Sequence, residues 1–179
     1  MTILFWDAFP TPLGWIGVLA SPRGLRATTL PCASAEEAHE ALGPEAQGTE
    51  RRPDLLAEVA CRLQAHLSGE RVSLKFPLDW EGRPLFFRRA WEACLGIPAG
   101  ETRSYAWLAA AAGRPGAARA AGQAMARNPL PLIVPCHRVV GQDGDLRGYG
   151  GGGPQHRPHQ LDLKARLLAL EARLARPSP

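Results

Sequence analysis

Cys136 and His137 are neighbours in Pro135-Cys136-His137-Arg138, and the pair has the residue types of an activated thiol. A free cysteine ionises at about pH 8.5, so only a few per cent is thiolate at neutral pH. For thiolate to be the major form there, the pKa must fall below about 7. A histidine that accepts the proton can supply this, especially when a carboxylate holds the imidazole. On its own the dipeptide fits a small buried hydrophobe beside a histidine better, because adjacent side chains need not face one another. Cys32, Cys61 and Cys94 are widely spaced and no Cys-x-x-Cys occurs. That excludes a thioredoxin-type motif, zinc-ribbon spacing and a dense disulfide framework. His156 and His159 sit in a Pro/Gly-rich stretch with no second ligand cluster, so no metal is expected.

The elements that must carry this pair differ between the two halves of the chain. Residues 3–9, 14–20 and 24–30 are short apolar stretches separated by Pro-Thr-Pro and Ser-Pro-Arg-Gly turns, which predicts a three-stranded antiparallel meander. A short helix is expected from Glu36 to Leu42. A longer one follows from Asp54, where Leu55, Leu56, Val59, Ala60, Leu63 and Leu67 recur at helical spacing up to Gly69. Val72 to Phe76 reads as one more strand. Residues 1–80 thus form a small α/β scaffold without evident chemistry.

After Pro84 the pattern turns helical. Phe87, Trp91, Cys94 and Leu95 share a face of a helix that stops before Ile97-Pro98. Ser104 is a good N-cap for a helix from Tyr105 to Ala112, with Gly113 as its stop. The turn Arg114-Pro115-Gly116 leads to a second helix, Ala117 to about Arg127, completing a candidate helix-turn-helix. The second helix is mostly Ala and Gly, so its backbone can approach another surface closely, whether a neighbouring helix or a nucleic acid. Leu132-Ile133-Val134 reads as a buried strand delivering Cys136. Gln142-Asp143-Gly144-Asp145 is a turn, and 148–153 a glycine-rich loop. A last helix is expected from near Leu161, with Leu163, Leu167, Leu170 and Leu174 on one side. Residues 81–179 form the second domain.

The chain has 179 residues, 45% hydrophobic and 21% charged, with 21 Lys and Arg against 17 Asp and Glu. This is globular composition and excludes a disordered chain. The formal charge of +4 permits a polyanionic partner without requiring one. No apolar run reaches the roughly 20 residues of a membrane span, and the first residues lack a signal-peptide pattern. A cytoplasmic protein is expected.

Pro135-Cys136-His137-Arg138-Val139-Val140 resembles the O6-alkylguanine-DNA alkyltransferase family. The similarity runs from about Phe86 to Gly152 and includes Ile97-Pro98, Gly100-Glu101-Thr102, Ser104-Tyr105, Leu108-Ala109, Gly113, Pro115, Ala117-Ala118-Arg119-Ala120 and Asn128-Pro129. It resumes at Leu161-Asp162-Leu163-Lys164 and ends in Leu167-Leu168-Ala169-Leu170-Glu171. The first eighty residues match only through Thr11-Pro12-Leu13-Gly14 and Gly24-Leu25.

The resemblance implies an α/β protein, with a ribonuclease H-like N-terminal domain built on an antiparallel sheet and a mainly helical C-terminal domain. It implies an enzyme that moves an alkyl group, typically methyl, from O6 of guanine, or O4 of thymine, in double-stranded DNA to its own cysteine. The transfer is irreversible and stoichiometric, and needs no cofactor. Cys136 would be the nucleophile, His137 its base through a water, and Glu171 the group orienting the imidazole. Asn128 would brace the turn holding the cysteine, and Tyr105 would donate its hydroxyl hydrogen to the departing base. The helix-turn-helix would bind the minor groove independently of sequence, with Ala118, Ala120 and Gly122 in close contact and Arg119 filling the place of a flipped nucleotide. Arg114 and Gln142 are expected phosphate contacts. Tyr105, Met125, Pro131, Val139, Tyr149, Gly150 and Gly151 would line the base pocket. Nothing implies more than a monomer.

Two departures stand out. Gly153 to Gln160 makes the connection to the last helix about eight residues longer than in the family, which could alter the pocket or move Glu171 out of register. Gly150 stands where several relatives carry a serine. The turn Ser21-Pro22-Arg23-Gly24 has no cysteine, so the structural zinc of some relatives is not expected. The rival expectation is a non-enzymatic lesion-binding protein that signals to excision repair; relatives acting in that way lack the cysteine. A transcriptional regulator would want base-reading side chains on Ala117 to Arg127, which offers few.

Overall fold

The computed structural model describes residues 3–150 and 157–175. The chain forms two compact units, one of residues 1–81 with 129–133, the other of 82–128 with 134–179. The division is thus not contiguous, because a five-residue strap after Asn128 packs with the first unit.

In the first unit, β1 (Phe5–Thr11), β2 (Gly14–Ser21) and β3 (Gly24–Thr28) form the expected meander. A two-residue strand, β4 (Glu50–Arg51), pairs in parallel with β1, so the sheet is mixed, in order β3-β2-β1-β4. Two charged residues carry no strand pattern, which hid β4 from the sequence. Helices α1 (Ala35–Ala41) and α2 (Pro53–Leu67) pack on this sheet. On α2 the buried stripe is Leu56, Val59, Leu63 and Leu67, whereas Leu55, one residue out of phase, is exposed.

The expected strand at Val72–Phe76 does not form. The segment is irregular, and pairing begins only beyond it, in a bridge between Leu78 and Leu25. It is held through Asp79, which accepts from Ser21 Oγ at 2.6 Å and Arg26 Nη1 at 3.1 Å. The expected strand at Leu132–Val134 does not form either. Leu132 has φ of 74° and a tight turn replaces strand geometry, with Pro129 and Pro131 unable to donate to a ladder. The segment is nonetheless buried, and Thr28 anchors it by donating from its N–H to Pro129 O and from Oγ1 to Pro131 O.

The second unit starts with α3 (Leu85–Leu95), whose Trp91 is buried and donates to Ala124 O at 2.8 Å. Leu95 falls outside the buried face. Strand β5 (Arg103–Ser104) leads into α4 (Tyr105–Ala111), capped by Ser104 Oγ on the Trp107 N–H. Helix α5 (Ala118–Ala126) follows across the turn and packs on α4, giving the helix-turn-helix. Cys136–Arg138 is a 3-10 turn, and β6 (Val139–Val140) pairs in parallel with β5. Helix α6 (Arg157–Ala175) begins four residues ahead of the expected Leu161. Its buried positions are Lys164, Leu167 and Glu171, with Leu163, Leu170 and Leu174 only half-buried. No helix among the described residues is long and apolar enough to cross a membrane.

Candidate active site

Backbone geometry brings Cys136 and Tyr105 together. The β5–β6 ladder pairs Ser104 with Val140, so the residue opening α4 lies beside the strand that follows the cysteine turn. The turn itself is tight, with Cys136 N donating to Val134 O at 2.7 Å and Arg138 N to Pro135 O at 2.9 Å. Asn128, at the end of α5, donates from Nδ2 to Val134 O at 3.0 Å and to Cys136 Sγ at 3.1 Å. The amide therefore braces the turn, as expected, and also touches the sulfur.

His137 and Glu171 lie almost wholly out of solvent, and His137 Nε2 donates to Glu171 Oε1 at 2.8 Å. That bond puts the ring hydrogen on Nε2 and leaves Nδ1 as the acceptor, which is buried without a partner among the described residues. The longer connection before α6 has not moved Glu171 away from His137. Gly100 contributes to this placement. It has φ of 84°, and a Cβ there would stand 2.7 Å from Ala175 Cβ and 3.6 Å from Glu171 O, so its bareness lets the end of α6 come close.

Arg138 completes the cluster and was quoted from the sequence only as part of a motif. Its Nε donates to Glu171 Oε2 and its Nη2 to Oε1, both at 2.8 Å, while Nη1 reaches Ile97 O. This is a bidentate fork, a geometry lysine cannot reproduce. Burial pushes the Glu171 carboxyl up, but the bonds from His137 and Arg138 outweigh it and hold the pKa at about 2.

Burial also dominates at Cys136, and its thiol is pushed up rather than down. Against burial act the Asn128 amide, the charge of Lys164, and the backbone N–H groups of Cys136 and His137. The resting protein thus holds a protonated thiol, contrary to the simple expectation of an acidified one. Tyr105 is likewise raised to about 12 by burial and by the neighbouring Cys136, so its hydroxyl keeps its proton at neutral pH.

A cavity of about 810 Å³ opens over Cys136, walled by Tyr105, Ala118, Arg119, Gly122, Met125, Gln142, Arg147, Tyr149 and Gly150 among others. Tyr149 is buried, lies edge-on to the His137 ring, and has a hydroxyl with no partner among the described residues. Arg114 is exposed and stacks over Phe86, and Ala120 is half-buried; neither borders the cavity. Two expected pocket residues lie elsewhere. Pro131 belongs to the strap, where its carbonyl takes the Thr28 hydroxyl, and Val139 is fully buried with its carbonyl taken by Lys164. Gly151 and residues 153–156 of the added connection, His156 among them, lie outside the described residues.

The 6-O-methylguanine DNA methyltransferase DNA-binding domain profile matches residues 85–173. A methylated-DNA–protein-cysteine methyltransferase of Methanosarcina barkeri is 35% identical over 94% of this chain and 97% of its own length. The chain belongs to that family. Its namesake from Mycolicibacterium paratuberculosis is 45% identical over 73% of each chain. A crystal structure of Mycobacterium tuberculosis OGT in complex with DNA superposes with a TM-score of 0.75 at 34% identity, covering 96% of this chain and 94% of that one. The family likeness therefore extends through the N-terminal unit, where the sequence carried only scattered matches.

Proposed function

We propose that this protein repairs DNA as a methylated-DNA–protein-cysteine methyltransferase, taking the alkyl group from O6 of guanine onto Cys136 in a single turnover. The observation that carries this is Cys136 at the cavity, with an Asn128 donor on its sulfur and a His137–Glu171–Arg138 chain behind it. The target atom is stacked inside the duplex, so the nucleotide must turn out into the cavity at a cost of a few kcal/mol. Arg119, which lines the cavity from α5 and is exposed, would occupy the vacated stack. Ala118 and Gly122 on the same helix are small enough for close minor-groove approach.

His137 takes the Cys136 proton, through a water, on the Nδ1 that the Glu171 bond leaves free. The thiolate attacks the alkyl carbon, forming a C–S bond as the C–O6 bond breaks. Guanine receives a proton from the Tyr105 hydroxyl, and that hydroxyl is made good with the proton first taken from the cysteine. No atom is left over, and the thioether cannot reverse. O4-alkylthymine offers the same leaving oxygen and is a candidate second substrate. Such a protein works as a monomer in the cytoplasm, with access to the chromosome.

Intact-mass measurement after mixing with a duplex bearing one O6-methylguanine tests this reading. One methyl in place of one hydrogen, mapped to Cys136, is expected, and Cys136→Ala abolishes the gain while retaining lesion binding. Selective binding with no mass gain would instead identify a damage-sensing protein, and the absence of both transfer and selective binding would refute the assignment.

A further inference from the structure

Lys164 is fully buried, yet among the described residues its ammonium bonds only to backbone carbonyls: Val139 O at 2.7 Å, Leu146 O at 2.7 Å and Gly148 O at 3.1 Å. An ammonium has three N–H donors, so the match is complete. A buried charge without a carboxylate is a costly way to join elements that an apolar side chain could join more cheaply. The three carbonyls explain it. Val139 stands three residues after Cys136, and Leu146 and Gly148 flank Arg147 on the cavity wall that continues into Tyr149. On α6, Glu171 lies seven residues after Lys164, almost two full turns further along the same face.

We propose that Lys164 is a positioning residue that locks the cavity wall, the cysteine turn and the helix bearing Glu171 into one register. This rests on the alkyl-transfer reading above. The covalent route from Gly150 to α6 passes through residues 151–156, and a longer connection constrains its ends less. The ammonium supplies the short link that the main chain does not. It accounts for how Glu171 stays on His137 despite the added residues.

The titratable groups facing this ammonium are Cys136 on the 3-10 turn, Asp145 on the wall loop and Cys94 on α3. Burial pulls the lysine down from 10.5 to about 8, and the neighbouring Cys136 and Asp145 only partly oppose it. A neutral amine has two N–H donors for three carbonyls, so the link loosens as the pH rises through about 8.

The test compares the full-length wild type with Lys164→Met and the milder Lys164→Gln. Amide hydrogen exchange across residues 141–150 should accelerate at least about tenfold in both, with the β1–β2 amides unchanged. Methyl transfer per folded molecule should fall about tenfold or more, with lesion binding kept within about threefold. In the wild type, wall-loop amide NMR signals should shift with a midpoint near pH 8, and this transition should vanish in Lys164→Met. Unchanged loop exchange would refute the link itself. Faster exchange with undiminished transfer would reduce Lys164 to a stabilising residue and refute the positioning role. A wild type that transfers nothing would overturn the alkyl-transfer reading, while the exchange and NMR results would still decide the link.

Discussion

Arg119 and Arg138 carry the same side chain into opposite circumstances. Arg138 is committed, with both edges of its guanidinium on Glu171 and Ile97 O. Arg119 is exposed at the cavity edge, with no ion pair among the described residues, and so is available to a nucleotide stack. Arg119→Ala should therefore slow repair of a duplex lesion by roughly tenfold or more, since part of the cost of extrusion is no longer met. Reaction with free O6-benzylguanine, which needs no extrusion, should change less than about twofold. Stopped-flow rates on both substrates check this, and equal losses would count against a stack-filling role. Cys136 and His137 stood out as residue types, but their roles, and those of Asn128, Tyr105 and Glu171, came from the family resemblance. Arg138 and Lys164 stood in the same motifs without evident purpose. Their partners are a carboxylate 33 residues away and backbone carbonyls, and neither leaves a mark on a pattern of side-chain types.

Elements with a regular apolar rhythm were equally legible, including the meander, α2, and both helices of the helix-turn-helix. Those held by single polar bonds were not. The segment before Asp79 looks like a strand because its residues suit one, but its only pairing with β3 among the described residues is the bridge at Leu25, and the Asp79 carboxylate adds bonds to Ser21 and Arg26. That carboxyl is raised by burial, yet the bonds from Ser21, the Glu81 N–H and Arg26 hold it at about 2. Its ordinary pKa in an unfolded chain is about 3.9, so the difference contributes stability on the order of 2 kcal/mol above pH 5. The sign follows from a depressed folded-state value: the contribution is present above about pH 4 and is lost as the pH falls through about 2. Urea melts between pH 6 and pH 2 should register this loss. Asp79→Asn should flatten the acid slope while lowering stability at neutral pH by roughly 3 kcal/mol, because Arg26 loses a buried partner. A slope unchanged by the substitution would mean that other carboxylates govern the acid limit.

For the whole molecule, the charge of +4 is modest, and any grip on DNA must come from local arginines rather than a general field. Affinity for undamaged duplex should fall linearly on a log–log plot of salt, with a slope set by the few phosphates engaged. Titrations by fluorescence anisotropy at several salt concentrations check this, and a flat response would exclude phosphate contacts as the main source of binding. The chain's route between its two units has a different kind of consequence. Residues 129–133 belong with the first unit although almost fifty residues of the second precede them, and the Thr28 N–H and hydroxyl both wait for carbonyls in that strap. A ribosome emits the chain in order, and N-terminal regions ordinarily finish folding first. Here the N-terminal unit cannot be completed until the segment immediately ahead of Cys136 has been made. The scaffold is therefore finished only as the reactive turn is being made, and a nascent chain cut short before the strap would leave Thr28 unsatisfied and the scaffold marked for proteolysis.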